Sequence, residues 1–201
     1  MLKVGITGGI GSGKSMVCQV FETLGIPVFN ADRAAKDLMD IDVQLVAEIK
    51  KLFGDDIYTT EGLDRKRLSS IVFNDKMLLE RLNAIVHPAT IQYGRDWMDR
   101  QLAPYVIKEA AIFFESGSNK DMDLMIGVYA PKRVRLLRVV ERDQVSTETV
   151  LVRMEKQMDE EKKMALCDHV LTNDGSTPVI PQVLALHQLL MKKDASAASS
   201  I

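Results

Sequence analysis

One short stretch limits the fold of this chain more than any other. The octet Gly8-Gly9-Ile10-Gly11-Ser12-Gly13-Lys14-Ser15 follows the apolar run Leu2-Lys3-Val4-Gly5-Ile6-Thr7 directly. After it, Val17, Val20, Phe21 and Leu24 recur on one side of residues 14–24, the period of a helix that Gly25 ends. Residues 26–29, Ile-Pro-Val-Phe, then read as a second strand. Strand, glycine-rich loop, helix and strand together start a parallel α/β sheet, because a parallel return needs a crossover on one face. The octet fits G-x-x-x-x-G-K-[ST] in full. Its glycines let the backbone approach an anion, and successive N–H groups at a helix start form a phosphate cradle. Gly9, Gly11, Ser12, Gly13, Lys14, Ser15 and Met16 are therefore the candidate nucleotide-binding residues. Lys14 brings charge to the β/γ-phosphates, and the Ser15 hydroxyl suits Mg²⁺.

Beyond this unit the period changes. Leu45, Ile49 and Leu52, then Leu68, Ile71, Val72, Leu78, Leu82 and Val86, recur at three- and four-residue steps, so residues 31–98 are expected to be a helical excursion without strands. Residues 54–62 form a turn-rich break in it. Residues 105–114 and 124–130 read as strands, the second stopped by Pro131. Helices are expected at 132–142, 147–157 and 159–166, then a strand at 169–171 ending at the turn Asn173-Asp174-Gly175. A closing helix spans 179–193, and the Ala/Ser-rich residues 194–201 are expected to be disordered.

A hydrophobic share of 46% supports a real core, and a net charge of −2 argues against a global binder of nucleic acid or membrane. No apolar run approaches the ~20 residues of a membrane span. The N-terminus enters a strand with no secretory pattern, and Cys18 and Cys167 lack metal or redox spacing. A cytoplasmic protein with two reduced thiols is expected, as a monomer.

Two further features carry chemistry. Asp32 follows the second strand, and ligands of open α/β sheets gather beyond the carboxyl ends of strands. It is a candidate base for an acceptor hydroxyl, or the N-cap of a helix starting at Arg33. Arg135, Arg138 and Arg142 fall at i, i+3 and i+7, one face of a helix. They could close over transferring phosphates or form a solvated face, and Arg153 and Gln157 on the next helix could complete the closure.

In order, these motifs resemble the dephospho-CoA kinase family over residues 2–190. The resemblance rests on Val4 to Val17 around the loop, Asn30-Ala31-Asp32, and Leu82-Asn83-Ala84-Ile85-Val86-His87-Pro88. It continues in Arg135-Leu136-Leu137-Arg138 through Arg142-Asp143, in Arg153 with Gln157, and in Asn173-Asp174-Gly175. It implies a P-loop kinase fold, a parallel sheet flanked by helices with a helical substrate-binding insertion and an arginine-bearing helical lid. The core would be residues 1–30, 101–131 and 164–193, the substrate region 31–100 and the lid 132–163. It implies that ATP, with Mg²⁺, phosphorylates the ribose 3′-hydroxyl of dephospho-CoA to give coenzyme A and ADP. Lys14, Asp32 and Arg138 would be catalytic. Arg138, Arg142 and Asn173 would hold ATP, and Thr7, Asp32, His87 and Glu109 would meet the acceptor. Ser15, with Glu109 as a possible second group, would serve the metal. The chain departs from the family pattern at Met16 (usually Thr), Asn30 (usually Asp) and Arg135 (usually Gln), and residues 111–115 lack the family's Pro. Another small-molecule kinase remains a rival. A guanine-nucleotide switch lacks its N-K-x-D here.

Overall fold

A computed structural model describes residues 1–198, with all their side chains except those of Asn74 and residues 194–198. Two compact units appear: Met1–Asn30 with the chain from Met98 onward, and Ala31–Trp97. In chain order the elements are β1 (Leu2–Thr7), α1 (Lys14–Thr23) and β2 (Val28–Asn30), then α2 (Ala31–Ile41), α3 (Val43–Phe53), β3 (Tyr58–Thr59), β4 (Gly62–Leu63), α4 (Arg65–Asn74) and α5 (Lys76–Asp99). The chain continues through β5 (Tyr105–Glu109), α6 (Phe113–Ser116), β6 (Leu124–Tyr129), α7 (Lys132–Asp143), α8 (Thr147–Glu155), α9 (Glu160–Ala165), β7 (His169–Thr172) and α10 (Val179–Ala198).

The first unit is built on a five-stranded sheet of order β2-β5-β1-β6-β7, parallel at every pair. Parallel pairing puts every carboxyl end on one edge: Thr7, Asn30, Glu109, Tyr129 and Thr172. Central β1 alternates as a strand must. Val4 and Ile6 join a core with Val17 and Phe21 of α1 and Val183, Leu186 and Leu190 of α10. Gly5 leaves room for Met125, and Gly127 leaves room for Met164 of α9 to lie against β6; a Cβ at either glycine would collide with the thioether. The flexible Met side chain suits such gaps.

The second unit has its own core of Leu38, Leu45, Ile49, Ile57, Leu63, Leu68, Leu82 and Val86. Two of its helices, α3 and α4, start on acids. Asp42 accepts from the Leu45 amide at 2.9 Å and Asp64 from the Arg67 amide at 2.9 Å, each satisfying a helix-start donor.

Three expectations change. The strand expected over 105–114 ends at Glu109. Ala110 still donates to Ile6 O at 3.1 Å, but the apolar run then turns into α6, burying Phe113 under the Lys108 ammonium 5.6 Å from its ring. A short apolar run does not by itself separate strand from helix. The strand-free excursion contains a two-residue hairpin, β3 with β4, made possible by Gly62 at φ 107. The closing helix runs past 193 to Ala198, so residues 194–198 are helical; the rest of the expected disordered tail, 199–201, lies outside the described residues.

Candidate active site

The loop between β1 and α1 is held in shape partly by its own residues and partly by distant ones. Gly13 caps α1 at φ 93, ψ 24, a left-handed conformation that favours glycine, and a Cβ there would overlap the Asn173 amide. Lys14, buried to 8% exposure, reaches back over the loop to donate to Gly8 O at 2.9 Å and Gly9 O at 3.3 Å. The buried Ser12 hydroxyl has no hydrogen-bond partner among the described residues.

At the strand ends, a small polar cluster joins three elements. Ser15 Oγ donates to Glu109 Oε1 at 3.3 Å, and Asn30 Nδ2 donates to Glu109 Oε2 at 2.6 Å. Register explains the second contact, because Asn30 pairs with Glu109 across β2 and β5. An Asp at position 30 would set two carboxylates side by side, whereas the amide donates to one. Thr7 is fully buried and donates to Ala111 O at 3.5 Å. Met16 is exposed on α1, its side chain away from the core.

The stripe on α7 divides. Arg135 is buried, donates to Ala130 O at 3.0 Å and pairs with Glu160 at 3.7 Å, each side chain 8% exposed. The charge added at this position is thus neutralised inside the protein. Arg138 donates to Asn173 O at 3.0 Å and Asn173 Oδ1 at 3.3 Å, while Asn173 Nδ2 donates to Ser12 O at 2.8 Å. Buried Asn173 therefore links α7 to the loop. Arg142 points elsewhere, onto Asp143, which also holds Arg153. The Asp143 hydrogen bond raises the Arg142 pKa further, and Arg142 in turn lowers that of Asp143.

Sequence reasoning missed Glu160, and it gave Gln157 no partner. Gly9 N donates to Glu160 Oε1 at 3.2 Å and Ile10 N to Gln157 Oε1 at 2.9 Å. The i, i+3 spacing of these residues was one signal; the unmatched Arg135 was the other, since a buried guanidinium needs a carboxylate. Also missed was Lys163, fully buried, which donates to Ala111 O at 2.7 Å and Glu115 Oε1 at 3.0 Å. Burial would raise the Glu115 carboxyl, yet the Met158 amide and Lys163 together hold it below its usual range.

In the second unit, α2 begins at Ala31, so Asp32 is an exposed acid within the first helical turn, not a cap before Arg33. An acid there complements the helix dipole. His87 is half-buried in α5, one residue before Pro88, and burial lowers its pKa, keeping the ring neutral at pH 7. Burial also makes both thiols poor nucleophiles, pushing Cys167 up to about 12 and Cys18 higher. Among the described residues, no group of three or more His, Cys, Asp or Glu could hold a metal. No described helix is long and apolar enough to cross a membrane.

A family model described as dephospho-CoA kinase matches residues 2–178. A dephospho-CoA kinase of Bacteroides fragilis is 35% identical over 193 residues, covering 96% of this chain and 94% of that one. Among solved structures, a Thermus thermophilus protein superposes with TM-score 0.83 at 34% identity, covering 94% of this chain and 96% of that chain. The dephospho-CoA kinase from Campylobacter jejuni gives 0.70 at 27% identity, covering 96% and 98%.

Proposed function

The chain belongs to the dephospho-CoA kinase family, and on that premise we propose that it moves the γ-phosphoryl group of ATP to the ribose 3′-hydroxyl of dephospho-CoA, in the cytoplasm and as a monomer. The observation that carries the reading is the loop with its surroundings. Lys14 is drawn over the glycine-rich backbone, Ser15 meets Glu109, and Asn173 joins the loop to Arg138.

Gly11, Gly13, Lys14, Ser15 and Met16 present their amides to the ATP phosphates; the Ser12 amide donates to Gly9 O at 3.1 Å, and the buried Ser12 hydroxyl has its donor available to a phosphate oxygen. Gly9 belongs to the same loop, its amide turned to Glu160. The Lys14 ammonium stabilises charge that grows on the β/γ-bridging oxygen as the bond breaks. Arg138 adds positive charge from α7, Asn173 holds it in place beside the base end of ATP, and Arg142 approaches the phosphates only by leaving Asp143. Asp32, solvent-exposed just past the carboxyl end of β2, orients the acceptor hydroxyl and takes its proton. His87, as a neutral ring, contributes hydrogen bonding to the acceptor, with Thr7 and Glu109 bounding the acceptor end of the sheet.

The donor set also fits Mg²⁺. The Ser15 hydroxyl and the Glu109 carboxylate supply hard oxygens side by side, and Mg²⁺ takes one or two protein groups while keeping waters and phosphate oxygens. When bound, the ion supplies charge neutralisation on the phosphates.

A coupled ADP-release assay tests the reading, with dephospho-CoA compared with AMP, CMP, uridine and shikimate. Dephospho-CoA alone should stimulate release, with ³¹P NMR showing a new 3′-phosphomonoester. Stimulation by another acceptor and none by dephospho-CoA would end the proposal.

A further inference from the structure

The loop has two limbs, and their partners differ. Gly11 to Met16 leads into α1. Gly8 to Ile10 rises from β1, and two of its amides are held by distant side chains: Gly9 by Glu160, 151 residues on, and Ile10 by Gln157, 147 residues on. Those acceptors stand three residues apart across the α8–α9 junction, where Asp159 caps α9 by accepting from Lys162 N at 3.1 Å. The same Glu160 carboxylate is the ion-pair partner of buried Arg135. Gly9 also shows the closeness of this contact. Its φ is not positive, yet a Cβ would collide with the Arg135 guanidinium and with Glu160 Oε2. A Cβ on Gly11 would meet Arg135 O. At position 9, then, glycine makes room for α7 and Glu160.

We propose that Glu160 and Gln157 are positioning residues that clamp the rising limb of the phosphate loop to the α7–α9 segment, so that the amides of Gly11 and of Gly13 to Met16 meet nucleotide phosphates already ordered. Glu160 acts through Gly9 and Arg135, Gln157 through Ile10. Neither side chain contacts a reacting atom. Without the clamp, ordering the limb falls on nucleotide binding. Fixing the backbone of one residue corresponds to about a tenfold factor in an equilibrium. The clamp also couples the limb to Arg138, because Arg135 and Arg138 lie on one helix.

The inference rests on the kinase reading for its kinetic readout, and parent turnover of ATP with dephospho-CoA tests that reading first. Amide exchange by NMR is independent of it. In Glu160→Ala, KM for ATP should rise about tenfold while KM for dephospho-CoA stays within about twofold, and the Gly9 amide should exchange faster. Glu160→Gln keeps an acceptor for Gly9 N–H and should recover most of the lost affinity. Gln157→Ala should shift ATP KM the same way by about threefold and speed exchange at Ile10. An ATP KM within about twofold of the parent in folded Glu160→Ala overturns the proposal, as does an equal loss in both KM values. So does unchanged exchange at Gly9. Should Glu160→Ala not fold, because Arg135 is left buried without its carboxylate, Gln157→Ala decides alone. Unchanged ATP KM and unchanged Ile10 exchange there would sink the clamp.

Discussion

The sheet unit and the helical unit hold their chemistry differently. In the sheet unit the polar groups are buried and tied: Lys14, Glu109, Arg135, Glu160 and Asn173 are each less than a tenth exposed, each with named partners. In the helical unit, Asp32 is open to solvent and His87 is half-buried. Side chains fixed before substrate arrives can meet developing charge without reorganising. Side chains on an open helical face must be ordered by what binds. On the proposed reading, the sheet unit would stabilise the transferring phosphoryl group, and the helical unit would recognise and activate the acceptor.

The strongest way to break that division is Lys14→Ala. Its ammonium is the loop's one side-chain charge and is buried, and losing it should lower kcat by about a thousandfold or more, with acceptor KM little changed. Steady-state kinetics at saturating ATP checks this. A loss confined to acceptor KM would place Lys14 on the wrong side of the division. Asp32→Asn should follow, lowering kcat by about a hundredfold while ATP affinity by calorimetry stays within about twofold. Turnover close to the parent would remove Asp32 from the proton-accepting role.

Much of this contrast was legible in the sequence. The loop, the parallel sheet and the order of helices follow from spacing, because phosphate binding and helix period both act over a few residues. What was illegible depends on distant partners. Arg135, Arg138 and Arg142 are equivalent by period, yet burial gives the first to Glu160, the second to Asn173, and leaves the third on its neighbour Asp143. Asn30 looked like a lost carboxylate until strand register set it against Glu109. The end of β5 escaped for a simpler reason: residues 110–114 are apolar whether they continue a strand or turn into α6.

The split within α7 gives a smaller prediction. Arg138→Ala should raise ATP KM about tenfold, since it removes a charged group and leaves Asn173 short of its donors, whereas Arg142→Ala should change it by no more than about threefold. Equal effects would restore the uniform stripe that period alone suggested.

The smallest effect concerns pH. Glu115 and Lys163 anchor α9, the helix that begins with Glu160, to the chain beyond β5. The Glu115 carboxyl is held low in the folded protein, so its contribution is fully present above the unfolded value near 4.5 and is lost as pH falls through the lower folded value. Glu115→Gln should therefore melt at a lower temperature than the parent at pH 7. The gap should close as pH drops below that range, because protonating Glu115 in the parent leaves Lys163 as the substitution does. Melting curves from pH 7 down to about 3 check the sign. A gap that stays constant with pH would mean that Glu115 anchors α9 by shape and hydrogen bonding, and that its charge contributes nothing.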